Sequence, residues 1–177
     1  SLMTELICKN EDISKIIKKA TAILKSDEGE NPYLVHEELQ NIMQNYIGIV
    51  RTEEELQEGL EKLNKIKLDI KNVFANASAQ YNPGWNEALD LKNLIITSEA
   101  VTRAAIIREE SRGAHTRDDF TTESEEWYQY NIIAKKGEDG NMQVIKEKRK
   151  EPNAELFRIA NAKLEDLEAE VAEERKS

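Results

Sequence analysis

The segment Arg108-Glu109-Glu110-Ser111-Arg112-Gly113-Ala114-His115-Thr116-Arg117-Asp118-Asp119-Phe120 crowds cations, carboxylates and an imidazole onto the end of the most apolar helical run of the chain. Upstream of it, Val101, Ala104, Ala105 and Ile107 keep a helical rhythm. Downstream, Asp118 to Thr122 reads as extended chain or turn. Gly113 is free to take the left-handed conformation that closes a helix, which puts the helix end near Ser111. Arg112, His115 and Arg117 are then thrown out at a helix end, where a polar cluster is placed for contact. The plain alternative is a capped helix with a solvated, charged tip.

Working back from this segment, the run from Trp85 to about Ser111 carries Leu89, Leu91, Leu94, Ile95, Ile96 and Val101 on more than one face. Such a helix is either the centre of a bundle or has a side waiting for another domain. Asn82-Pro83 supplies its cap and first position. Before it, Thr52 and Glu55 form a capping box for a helix that buries Leu56, Leu60, Leu63, Ile66, Ile70, Val73 and Phe74 and runs to about Ala77. Asn31-Pro32 repeats the cap-plus-proline start for a helix over 32–50, striped by Val35, Leu39, Ile42, Met43 and Tyr46. Asn10 caps a first helix over 11–25, ended by Ser26-Asp27-Glu28-Gly29-Glu30. Connections this short force antiparallel neighbours. His36, beside Glu37 on a first turn, reads as a surface residue rather than a ligand.

Working forward, Trp127 to Ala134 is aromatic and β-branched, Lys136 to Asn141 turns, and Met142-Gln143-Val144-Ile145 returns, which predicts a hairpin. Pro152 opens a last helix in which Phe157, Ala160, Leu164, Leu167 and Val171 make a short coiled-coil seam. That seam either docks on the bundle or supports self-association through 156–171. The fold class is mainly α: an up-and-down, spectrin-repeat-like three-helix bundle with an extra N-terminal helix, a C-terminal β-hairpin extension and a terminal helix. The expected divisions are 1–30, 31–113, 114–150 and 151–177.

At 177 residues the chain supports one core. Against 25 Lys and Arg stand 35 Asp and Glu, a net charge of −10 that a phosphate backbone would repel, so nucleic acid is excluded as a partner. No run approaches the ~18 apolar residues of a membrane span, and direct membrane insertion is not expected. The single cysteine, Cys8, cannot form an internal disulfide and fits a reducing, cytoplasmic setting. No cleavable signal is visible, and Ser1-Leu2 before Met3 reads as a cloning remnant on an excised domain.

Two segments carry a family resemblance. Glu110-Ser111-Arg112-Gly113-Ala114-His115-Thr116-Arg117-Asp118-Asp119-Phe120, followed by Glu125-Glu126-Trp127, resembles the "ESRGAH-x-R-x-D-(F/Y)" signature of the C-terminal helical domain of succinate dehydrogenase and fumarate reductase flavoprotein subunits. Asn31-Pro32-Tyr33-Leu34-Val35-His36-Glu37-Glu38-Leu39, then Gly48-Ile49-Val50-Arg51, is similar to that family's first bundle helix and its "GI-(V/F)-R" ending. The resemblance covers roughly residues 30 to 135. The family often has Pro where Thr121 stands and a Lys-His pair near Gln129-Tyr130, and the tail after 146 matches nothing in it.

The chain's own chemical inventory is thin. One Cys and two distant His offer no zinc site, and no glycine-rich loop follows a strand to cradle a dinucleotide. A Ser111–His115 dyad would need a continuous helix, which Gly113 interrupts. The resemblance therefore implies an accessory domain with no catalytic, cofactor or metal site of its own. FAD and dicarboxylate would sit in the other domains of a parent oxidoreductase. Ser111, Arg112, Gly113, His115, Arg117 and Asp118 become domain-docking residues, with Arg112 as the buried, multiply bonded anchor. The implied partners are the flavin-binding and capping domains of the same polypeptide and an iron-sulfur subunit, on the cytoplasmic face of a membrane. Two other readings stand beside it. One is the equivalent domain of L-aspartate oxidase, although Gly113-Ala114-His115 and Asp119-Phe120 lean away from that enzyme's text. The other is an unrelated helical coiled-coil adaptor.

Overall fold

The computed structural model describes residues 10–25, 28–76 and 78–174. The readings of Cys8 and of Ser1 to Met3 lie outside them. Three helices form the core: α2 (Pro32–Tyr46), α3 (Glu53–Lys71) and α4 (Pro83–Ile107), with α1 (Asn10–Thr21) and a 3₁₀ turn (Ala22–Lys25) ahead of them. The expected starts are in place. The Asn31 side chain accepts from the Tyr33 N–H, Asn82 from Trp85 N–H, and Thr52 and Glu55 complete their capping box. Leu39, Leu56, Leu63, Ile66, Leu91 and Ile95 interlock in the core. Trp85 Nε1 donates to the Ala20 carbonyl (2.8 Å) and pins the N-terminal segment to the start of α4.

Gly59 marks a close helix approach. A Cβ there would stand 2.6 Å from Ile47 Cδ1 and 2.8 Å from Tyr46 Cβ, so the end of α2 lies directly on the α3 backbone.

Three helix ends differ from expectation. α3 stops at Lys71, not near residue 77, because the chain beyond it bonds to the 28–30 loop: Glu30 N–H donates to the Asn72 carbonyl and Phe74 N–H to the Glu30 carbonyl. Ala77 itself lies outside the described residues. α4 stops at Ile107, four residues before Ser111, since Arg108 leaves helical geometry with φ −84° and ψ 91°. Gly113 does have a positive φ of 59°, but in a separate tight turn in which Arg112 and His115 exchange both backbone bonds. The expected terminal helix is two: α6 (Ala154–Asn161), capped by Asn153, and α7 (Leu164–Glu174), separated by extended Ala162. The Asn161 amide donates to the Phe157 carbonyl, and the seam through Phe157, Leu164 and Val171 neither stays on one helix nor is buried.

Two small sheets complete the fold. β1 (Val50–Arg51) pairs in parallel with β2 (Thr116–Arg117), which ties the α2–α3 connection to the loop after α4. β3 (Tyr130–Lys136) and β4 (Met142–Lys148) form the antiparallel hairpin, packed on α4. Trp127 and Tyr128 lie before it, in the short helix α5 (Glu125–Tyr128). α4 is not apolar all round: Ser98, Glu99 and Thr102 are buried on its inner side, while Ile96 and Val101 are 56% and 41% exposed. Glu99 is tolerated there because Lys67 and Arg103 pair with it.

Candidate functional site

The loop from Arg108 to Tyr128 is held by two arginine–carboxylate knots. At the centre of the first is Glu110, fully buried. Its Oε1 accepts from Arg108 Nε and Nη2 (2.9 and 2.7 Å), its Oε2 from the Ser124 N–H (2.9 Å), and Arg112 Nε lies 3.2–3.3 Å from both oxygens. Burial pushes the Glu110 carboxyl up, but the Ser124 N–H and the two guanidiniums outweigh it and hold it below the ordinary glutamate value. Arg112 continues outward to Glu123 and to the Ser124 carbonyl (3.1 Å each), its guanidinium 5.7 Å from the Tyr128 ring.

The second knot surrounds Arg117, also fully buried. Its guanidinium donates to both Asp119 oxygens, to Glu53 Oε2 (2.9 Å) and to the Ala105 and Ile106 carbonyls at the end of α4 (2.9 and 3.3 Å). The Asp119 bonds raise its pKa, and in return Arg117 pulls the Asp119 carboxyl from 3.8 to about 2. Within the chain the fully buried, multiply bonded arginine is Arg117; Arg112 is multiply bonded too but keeps an exposed side. Arg112 pairs with Glu110 and Glu123.

Ser111 and His115 do not form a dyad. The Arg117 N–H donates to Ser111 Oγ (2.8 Å), and the Ser111 hydroxyl donates back to the Arg117 carbonyl (3.1 Å). His115 bridges Arg51, whose Nη1 donates to Nδ1 (2.9 Å), and the Arg108 carbonyl, which accepts from Nε2–H (3.0 Å). That pattern fixes the neutral tautomer. Burial and the charges of Arg51, Arg108 and Arg117 push the imidazole pKa down, against the bond to the Arg108 carbonyl. Gly113 and Asp118 are exposed, the latter donating its N–H to the Arg51 carbonyl (2.9 Å). Glu53 was not singled out by sequence, and Glu110, Asp119 and Arg51 stood only within the quoted motifs with no role assigned; a spacing rule sees neither a partner 64 residues away nor a two-residue strand pair.

The start of α3 does not fit a pyrophosphate. α3 is entered directly from β1, but its N-terminus is filled by Glu53, Glu54 and Glu55 and by Asp119, which accepts the Glu53 N–H (2.8 Å). A pyrophosphate would be repelled there. Among the described residues no three His, Cys, Asp or Glu side chains converge as a metal site, and no helix is long and apolar enough to cross a membrane.

Residues 36–171 match the family model described as fumarate reductase flavoprotein C-term, so the match runs well past residue 146 into the tail that resembled nothing. An uncharacterized FAD-dependent oxidoreductase of Methanocaldococcus jannaschii is 38% identical over 125 residues, 71% of this chain and 22% of that protein. The succinate dehydrogenase flavoprotein subunit of Coxiella burnetii is 32% identical over 142 residues, 77% of this chain and 24% of that protein. Among solved structures, the Mycobacterium smegmatis Sdh1 complex in the apo form superposes with a TM-score of 0.79 at 32% identity, covering 91% of this chain and 28% of that one. The chain thus spans about a quarter of the length of these relatives.

Proposed function

We propose that this chain, which belongs to the fumarate reductase flavoprotein C-terminal family, is the accessory helical domain of an FAD-containing succinate dehydrogenase or fumarate reductase subunit. It packs on the flavin domain, supports assembly with an iron-sulfur subunit, and has no catalytic site of its own. FAD and the dicarboxylate site belong to the rest of the parent polypeptide, whose complex lies on the cytoplasmic face of a membrane.

The observation that carries the docking role is a set of uncovered apolar side chains beside a loop whose buried polar side chains are bonded. Ile49, Val50, Val101 and Tyr128 are 72%, 55%, 41% and 59% exposed. A patch of that kind marks an interaction surface. Within it Arg112, Gly113, His115 and Asp118 would meet the neighbouring domain, while Ser111 and Arg117 hold the loop in shape from beneath.

The test is Val101→Asp, made in this chain and in the parent polypeptide. The chain alone should melt within ~0.5 kcal/mol of wild type, as for an ordinary surface change. The parent should lose flavin on purification. Full flavin retention in the variant parent would remove the docking reading.

A further inference from the structure

In a chain of net charge −10, an open cleft of about 570 Å³ gathers four arginines and has no aspartate or glutamate on its walls. It lies between the end of α4, the loop after it and the hairpin, and it is lined by Arg51, Arg108, Arg112 and Arg149 with His115 between them. Arg108 and Arg112 are neutralised in part by Glu110 behind the wall. Arg51 and Arg149 are not. Arg51 donates to the Gly48 carbonyl and to His115, and Arg149 to the Tyr128 carbonyl while its guanidinium lies 5.3 Å from the Tyr128 ring. Neither makes an ion pair among the described residues.

We propose that this cleft is a receptor for carboxylate side chains, Asp or Glu, presented by the part of the parent polypeptide that covers it. Two unneutralised guanidiniums beside a neutral imidazole supply forked donors suited to a carboxylate. Their side chains are already propped by carbonyl and aromatic contacts, so little freedom is lost on pairing. A protein surface fits better than a free small anion for two reasons. The cleft is continuous with Val101 and Tyr128, whose uncovered apolar area calls for a covering surface. The chain's overall negative charge also slows the approach of a free anion, whereas a covalently attached domain needs no steering. The inference rests on the docking reading above and names the chemistry of its partner.

The test uses the parent polypeptide with Arg51→Lys or Arg149→Lys, each keeping the cation and adding an amine that a carbodiimide joins to a touching carboxylate. Amide exchange of residues 128–132, compared between the parent and the isolated chain, reports docking independently. The expected result is protection raised at least ~10-fold in the parent, together with a zero-length cross-link from position 51 or 149 to an Asp or Glu outside the present sequence. Protection without such a cross-link overturns the carboxylate receptor and leaves docking standing. Absence of both overturns docking as well. Carbodiimide attachment of malonate itself to the new amine at position 51 or 149 of the isolated chain, with no external Asp or Glu joined in the parent, would assign the cleft to free dicarboxylates and sink the proposal.

Discussion

Arg117 grips Asp119 through two parallel hydrogen bonds of 2.7 Å, and the same Asp119 accepts the Glu53 N–H that opens α3. One buried guanidinium thus joins the end of α4, the start of α3 and the loop between β2 and α5. Arg117→Lys keeps the charge but cannot fill five acceptors, so some of the Asp119 and Glu53 oxygens and the Ala105 and Ile106 carbonyls lose their partner, and the two-bond fork to Asp119 is lost. The isolated chain should lose ~3 kcal/mol or more in urea unfolding. Arg112→Lys, on the half-exposed side, should cost ~1 kcal/mol. Equal costs for the two would show that the fork at Arg117 has no special weight.

The same pair sets an acid limit. The Asp119 carboxyl titrates at 3.8 when free and at about 2 in the fold, so the unfolded chain takes up the proton first as pH falls. Its contribution is complete above about pH 4 and is lost between there and about pH 2. Asp119→Asn should be less stable than wild type at pH 7, and the gap should narrow through that window. A constant gap across melting curves from pH 5 to pH 2 would contradict this assignment.

Which parts of this were legible in the sequence follows from how local each interaction is. Asn31-Pro32, Thr52 with Glu55, and Asn82-Pro83 start helices through bonds two or three residues away, and each was readable from spacing. The weight of Arg117 was not legible, because Glu53 and the α4 carbonyls that it bonds are distant in sequence and are brought to it where β1 and β2 pair. Gly113 announced a left-handed residue correctly, but a local rule could not say that the helix had already ended at Ile107. The seam of the last helix was spaced for a coiled coil, yet Ala162 is extended and divides it.

At Gly59 two effects oppose each other. Alanine is favoured over glycine in a helix interior by about 1 kcal/mol. Against that, its Cβ would stand 2.6 Å from Ile47 Cδ1, and Ile47 is buried with little room to move. Overpacking of this kind costs about 1–3 kcal/mol. Gly59→Ala should therefore be net destabilising, by ~1 kcal/mol, in thermal or denaturant melts. A rise in Tm would mean that the end of α2 can shift away from α3 at little cost.

His115 predicts a second pH dependence, at milder acidity and of a different origin. Its imidazole is neutral in the fold, and Arg51, Arg108 and Arg117 oppose a further positive charge there. An unfolded histidine takes up a proton near pH 6.5, before the folded one does. Above that pH the residue contributes no pH dependence; as pH falls below it, the unfolded state binds more protons and stability drops. His115→Gln can still accept from Arg51 and donate to the Arg108 carbonyl, without titrating. The wild type should therefore lose Tm relative to His115→Gln between about pH 7 and pH 5. The other imidazole, His36, is hydrogen-bonded to Glu87 and Gln40 in both proteins and cancels in the comparison. Parallel Tm curves for the two would mean that His115 accepts its proton in the folded loop, and that the tautomer set by Arg51 and the Arg108 carbonyl does not hold in solution.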